Sequence, residues 1–201
     1  MNHYFIIRNS YSSAIDIEVN RRRLHFTRNV TVPSLAAQTD KDCILAIRAH
    51  KNDPLLDERM SAWESTGIPI QTSRSMPGKC VQTRLDDDDA IAFDFVERLH
   101  RGLAEHHNAQ WLSFPCGVVV NPPHYGFKRF PKNQFITRVS ERGIFEIQHT
   151  KIPDPQPIDE KMAWMWVRHQ DARSPHGFDW SNVGIVDELS EQFPFDMTAL
   201  K

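Results

Sequence analysis

Apolar and polar positions along the 201 residues fall into short blocks that predict strands and helices in turn. YFII, residues 4 to 7, is an apolar run of the length expected for a buried strand, and polar RNSYSS closes it. From about residue 16 to 36, Leu24, Thr27, Val30 and Leu35 recur at roughly helical spacing, and Pro33 is expected to break or kink that helix. CILAIRAH predicts a second buried strand and KNDP a loop after it. LLDERMSAWEST reads as a helix with Gly67 at its C-terminal stop, and GIPIQTS as a third strand. A fourth strand, in which Val81, Thr83 and Leu85 alternate, leads straight into four aspartates. Phe95, Val96, Leu99 and Leu103 then share one face of a helix that should pack on the sheet. Such strand and helix alternation implies an α/β domain with a mainly parallel sheet.

The second half is less regular. WLSFPCGVVV, NQFIT and GIFEIQ predict additional C-terminal strands, with NPPHYGFKRFPKN read as loop between them. KIPDPQPIDE holds three prolines in ten residues and reads as an extended loop, and MAWMWVRH as an aromatic strand or short helix.

Composition narrows the function classes. With 40% apolar and 25% charged residues, the chain suits a single domain with a real core. A net charge of -2 leaves no large basic surface, so nucleic acid is not an expected partner. Cys43, Cys80 and Cys116 stand far apart without a CxxC pair and read as free or buried thiols of a reducing compartment. No apolar run approaches the ~18 residues that span a bilayer, so no transmembrane segment is expected and the cytoplasm is the expected location.

Asp86 to Asp89 are the chemical feature of the chain. One reading is a solvated helix start, where acidic residues gain ~0.3 to 1 kcal/mol each from the helix dipole. The other is a metal site: four adjacent carboxylates repel one another, and the C-terminal edge of an open α/β sheet is where ligands bind. Hard oxygen ligands there suit Mg²⁺ or Mn²⁺ shared with substrate phosphates. A calcium loop counted from Asp86 would place Ile91 where glycine is required. Neither a GxxxxGK[ST] or GxGxxG phosphate loop nor a GxSxG nucleophile turn occurs.

TRLDDDDAIAFDFVERL resembles the aspartate motif of bacterial rhamnosyltransferases, within the broad class of GT-A glycosyltransferases. TVPSLAAQTDKDCILAI, residues 31 to 47, and WMWVRHQDARS, residues 164 to 174, are similar to two further segments of that family. The resemblance implies a GT-A-like, Rossmann-like three-layer sandwich over residues 1 to 201. Its nucleotide-binding half would run to about residue 105, with the acceptor side following. It also implies transfer of a sugar from a nucleotide-sugar donor to a carbohydrate-type acceptor hydroxyl, with Mn²⁺ or Mg²⁺ on the donor diphosphate. Asp88 is then the expected direct metal ligand, Asp86 contacts the metal and the sugar or ribose side, and Asp89 supports them. Asp87 falls on the family's variable position. His169 is a further expected ligand, and Arg84 and Arg168 are expected phosphate contacts. Arg8, Asn9 and Ser10, at the end of the first strand, and the HKND loop at 50 to 53 are candidates for the base and ribose. Glu141 and Asp171 are the candidate catalytic bases, and Trp164 or Trp166 candidate sugar platforms. A non-catalytic carbohydrate or nucleotide-binding module and a metal-dependent nucleotidyl or phosphoryl transferase remain as alternatives on the sequence.

Overall fold

The computed structural model describes residues 1–8, 16–50, 52–73, 78–141, 151–168, 183–185 and 189–200. The chain begins with strand β1 (His3–Arg8), helix α1 (Ile17–Phe26), helix α2 (Val32–Ala36), strand β2 (Ile44–Ile47), helix α3 (Leu56–Glu64) and strand β3 (Ile70–Gln71). Next come β4 (Cys80–Asp86), β5 (Ala90–Ile91) and helix α4 (Phe95–Glu105). The rest is mostly strand: β6 (Trp111–Ser113), β7 (Cys116–Asn121), β8 (His124–Arg129), β9 (Thr137–Ser140), β10 (Gln156–Pro157), β11 (Trp164–Val167) and β12 (Val183–Ile185).

Among the described residues the strands form two sheets. The larger has the order β10-β6-β9-β4-β1-β2-β3. Its β4-β1-β2-β3 portion is parallel, and β9 joins antiparallel to β4. The smaller runs β12-β8-β7-β11-β5. This is an α/β, GT-A-like layered fold with a mainly parallel sheet at its centre and added C-terminal strands.

β1 is buried on both faces, as central parallel strands are. Phe5 and Ile7 join the largest apolar cluster with Leu45, Trp63, Phe95 and Leu99, while Tyr4 and Ile6 pack on the opposite face with Ala46 and Trp111. The helical stripe on α4 thus meets the sheet as its spacing predicts. All three cysteines are free and buried. No helix among the described residues is long and apolar enough to cross a membrane.

Two local expectations change. Pro33 does not end its helix: five residues, Thr27–Thr31, form a wider π-helical stretch, and α2 continues from it. Pro33, in the first turn of α2, has no N–H to offer the preceding turn, and the chain stays helical through it. NPPHYGFKRFPKN is only partly loop, because HYGFKR is strand β8, paired antiparallel with β7 across a two-proline turn. Prolines at both ends masked its strand character. GIFEIQ lies outside the described residues.

His3 makes the fold pH-sensitive. Its Nε2 lies 2.9 Å from Thr83 Oγ1, which in turn is 2.8 Å from Thr137 Oγ1. Burial, with a smaller push from His100 and an opposing pull from Asp40, lowers the imidazole pKa to about 3. In the unfolded chain it would titrate near 6.5, so between these values the unfolded state binds the extra proton and stability falls as pH falls. From pH 7 to pH 5 the wild type should lose about 2 kcal/mol more than a His3→Gln variant. Urea denaturation of both at the two pH values measures that difference, and equal losses would refute it.

Candidate functional site at the aspartate turn

β4 ends at Asp86, and the parallel register sets Asp86 beside Arg8, the last residue of β1. The backbone then turns through Asp87 and Asp88 and passes Asp89 into β5, which belongs to the other sheet. The aspartates therefore occupy the crossing between two sheets, at the edge where parallel strands end and α/β folds bind ligands. Helix α4 starts only at Phe95, with Asp94 as its N-cap. Because β5 intervenes, and because Asp87, Asp88 and Asp89 are buried, the solvated helix-start reading fails.

The four carboxylates have different surroundings. Asp87 is wholly buried between two arginines, Arg23 from α1 and Arg59 from α3. Arg23 Nη2 donates to one oxygen of Asp87, and Arg59 Nη1 lies 3.5 Å from the other. Arg59 also donates through Nε to Asp53 Oδ2 at 2.8 Å and through Nη2 to the Asn20 carbonyl at 3.0 Å. Arg23 Nη1 reaches Asp88 Oδ2 at 2.8 Å. Much of the compensating charge is thus built into the protein, where the sequence alone pointed to a bound cation. Arg84 sits farther off, its Nε 3.8 Å from Asp86 Oδ1.

Asp89 turns the other way. It is 1% exposed, and its Oδ1 accepts the Val167 N–H of β11 at 2.9 Å. Burial and the adjacent Asp88 and Asp86 carboxylates raise its pKa well above the ordinary value, against the Val167 and Gln134 hydrogen bonds. Burial also lifts Asp87 to about 6, an effect that Arg23 and Arg59 oppose. Of the four carboxylates Asp86 is the most exposed, with 30% of its side chain in contact with solvent, and Asp88 keeps 10%. Among the described residues no three His, Cys, Asp or Glu side chains are grouped to hold a metal ion by themselves.

The segment VPSLAAQTD, residues 32 to 40, fastens the chain just after this turn. Thr27, five residues before it, holds its hydroxyl 2.8 Å from the Asp87 carbonyl. Gln38 Nε2 donates to the Ala92 and Ser34 carbonyls, and its Oε1 accepts the Val96 N–H. The Thr39 N–H bonds the Phe93 carbonyl at 2.9 Å. Buried Arg98 ties α4 to the proline-rich loop through Asp159, with Asp94 on its other side.

The remaining sequence candidates divide clearly. Arg168 follows Val167 and bonds the Val120 carbonyl through its backbone N–H, so β11 brings it to the neighbourhood of the turn. Glu141 follows Ser140, which pairs with Cys80 at the start of β4. At about 3.3 Å per residue it lies roughly 20 Å along the strand from Asp86, so the fold does not bring this candidate base to the aspartates. Asn9, Ser10, Lys51, His169 and Asp171 lie outside the described residues. Trp164 is fully buried and donates through Nε1 to the Phe114 carbonyl, which makes it core and not a sugar platform, whereas Trp166 is half-buried. Sequence reading missed Arg23 and Arg59, and Asp53, a candidate for the base and ribose, is instead buried against Arg59. For Arg59 the available signal was its offset of three and four from Ala62 and Trp63 in α3.

Among solved structures, one from Staphylococcus aureus shares the fold at low identity. Staphylococcus aureus TarS 1-349 in complex with UDP-GlcNAc aligns over 89% of this chain and 62% of its own, with 12% identity and a TM-score of 0.53. A longer S. aureus TarS structure aligns over 83% of this chain and 36% of its own, with 12% identity and a TM-score of 0.49. The chain thus spans under two thirds of the length of either. No curated protein matches the sequence. The family described as "Putative rhamnosyl transferase" matches residues 68–176. That span covers just over half of the 201 residues and includes β4, the aspartate turn, Arg98 and β11, and the chain belongs to this family.

Proposed function

We propose that the chain is a glycosyltransferase that moves a sugar, rhamnose by the family's description, from a nucleotide-sugar donor to a carbohydrate-type hydroxyl. The carrying observation is the division of the aspartates: Asp87 and Asp89 are wholly enclosed, while Asp86, and to a smaller extent the Arg23-paired Asp88, keep solvent-facing surface at the end of β4. Two carboxylates are too few for an all-protein metal cage. They fit Mn²⁺ or Mg²⁺ held by one or two carboxylates with the donor phosphates completing the shell. Asp88 and Asp86 would hold it, with His169 as a further ligand in sequence reach. When bound, such an ion offsets charge developing on the leaving diphosphate.

The chain's own residues do the rest. Arg168, at the end of β11, would contact a donor phosphate, and Arg8 brings the end of β1 alongside Asp86. UDP-GlcNAc in the S. aureus TarS structure supports a nucleotide-sugar as the ligand class for this fold.

Thermal denaturation with UDP-, GDP- and dTDP-sugars, each with and without Mn²⁺, tests the reading. A donor at about 100 times its Kd should stabilise the wild type by about 2.7 kcal/mol, with Mn²⁺ required. Asp88→Asn should abolish that gain. An equal gain in the variant, or none with any pair in the wild type, would overturn the assignment.

A further inference from the structure

We propose that Arg23 is a positioning residue that fixes the orientation of Asp88 toward the donor site; the inference rests on the function proposed above. Three observations carry it. First, one guanidinium grips two successive aspartates: Nη2 bonds Asp87, and Nη1 lies 2.8 Å from Asp88 Oδ2. A planar fork that engages two carboxylates sets their relative angle, which a single ammonium cannot do. Second, Arg23 is itself held. Its side chain is 7% exposed, and Asp87, which it grips, is also met by Arg59, itself anchored on Asp53 and Asn20. Third, the helix is reshaped beside it. The π-helical stretch begins at Thr27, four residues on, and the Thr27 hydroxyl lies within hydrogen-bond distance of both the Arg23 and the Asp87 carbonyls. Wider turns of this type occur often at functional sites.

Nη1 and Nη2 of Arg23 engage Asp88 and Asp87, so its effect at the donor site is exerted through Asp88. Engaging Oδ2 defines which side of that carboxylate turns toward the guanidinium and therefore which way the group faces at the open edge. Arg59 provides the control, because it meets Asp87 but not Asp88 and is equally buried.

The experiment titrates Mn²⁺ into the protein at saturating UDP and reads free Mn²⁺ by electron paramagnetic resonance, beside a melting curve for each variant. Arg23→Gln should weaken Mn²⁺ binding about tenfold or more, the range seen when a group orienting a metal ligand is removed. Arg23→Lys should recover part of the loss. Arg59→Gln should lower the melting temperature but leave Mn²⁺ affinity within about twofold of wild type, because Asp88 keeps its partner. Equal weakening in Arg23→Gln and Arg59→Gln would reduce Arg23 to general scaffold and overturn the proposal. Unchanged or tighter Mn²⁺ binding in Arg23→Gln would do so too, by making Arg23 a mere counter-ion. If Arg23→Gln does not fold, Arg23→Lys carries the same comparison against Arg59→Gln. Absence of Mn²⁺ binding by the wild type with UDP, GDP or dTDP would instead sink the metal-dependent function, and this inference with it.

Discussion

Gly117→Ala is expected to destabilise the protein by about 3 kcal/mol, at the upper end of what overpacking costs. A Cβ at Gly117 would lie 2.1 to 2.4 Å from three indole carbons of Trp164, its register partner across β7 and β11. The indole has no room to retreat. Its other face stacks on Phe135 at a centroid distance of 5.3 Å, and its Nε1 is anchored on the Phe114 carbonyl. One strand or the ring must move, and β11 carries the Val167 N–H that holds Asp89. Chemical denaturation of wild type and variant measures the loss. A change under about 1 kcal/mol would mean that the indole relaxes freely.

Asp87→Ala is expected to cost about 3 kcal/mol, the lower end for breaking a buried ion pair, because it removes the carboxylate that Arg23 and Arg59 share in the interior and leaves them only Asp88 and Asp53. Arg23 and Arg59 are 6% and 1% exposed, so water cannot take the place of the carboxylate. Equilibrium unfolding in urea is the measurement, with Arg28→Ala as a reference for an exposed pair. Arg28 meets Glu58 at 3.1 Å with about half of each side chain in water, a setting in which ion pairs contribute roughly 0 to 1 kcal/mol. A loss at Asp87 no larger than that reference would show that the buried pairing carries no net stability.

Local patterns carried β1, β2, β4, α3 and α4, because each pairs an unambiguous apolar period with clear stop residues. The sheet-to-sheet crossing was not legible. Ala90 and Ile91 make only two bridges to β11, and nothing within AIAFDF distinguishes a two-residue strand from the first turn of a helix. That is why the aspartates looked like a helix start. β8 was hidden for a related reason, since its flanking prolines signal loop while its pairing with β7 depends on residues elsewhere in the chain.

The aspartate turn itself was found from its charge density, but its partners lie 64 and 28 residues before Asp87 in sequence, beyond any local pattern. Arg23 stands within a run of three arginines, and only the burial of one helix face singles it out. Asp88 and Asp86 were selected by resemblance to a motif. That Asp87 serves the interior is a tertiary fact, set by where α1 and α3 pack.

The enclosed charges also constrain how this family can drift. Position 87 falls where the motif tolerates variation, yet in this chain its carboxylate answers to Arg23 and Arg59 together. Exchanging all three for apolar groups would in turn strand Asp53, which Arg59 holds, and release Asp88, which Arg23 holds. In relatives with a different residue at position 87, the Arg59–Asp53 pair should therefore change together, while Arg23 is kept for Asp88. A position that reads as variable in the motif is, in this fold, one corner of a charge network spread over two helices and a turn.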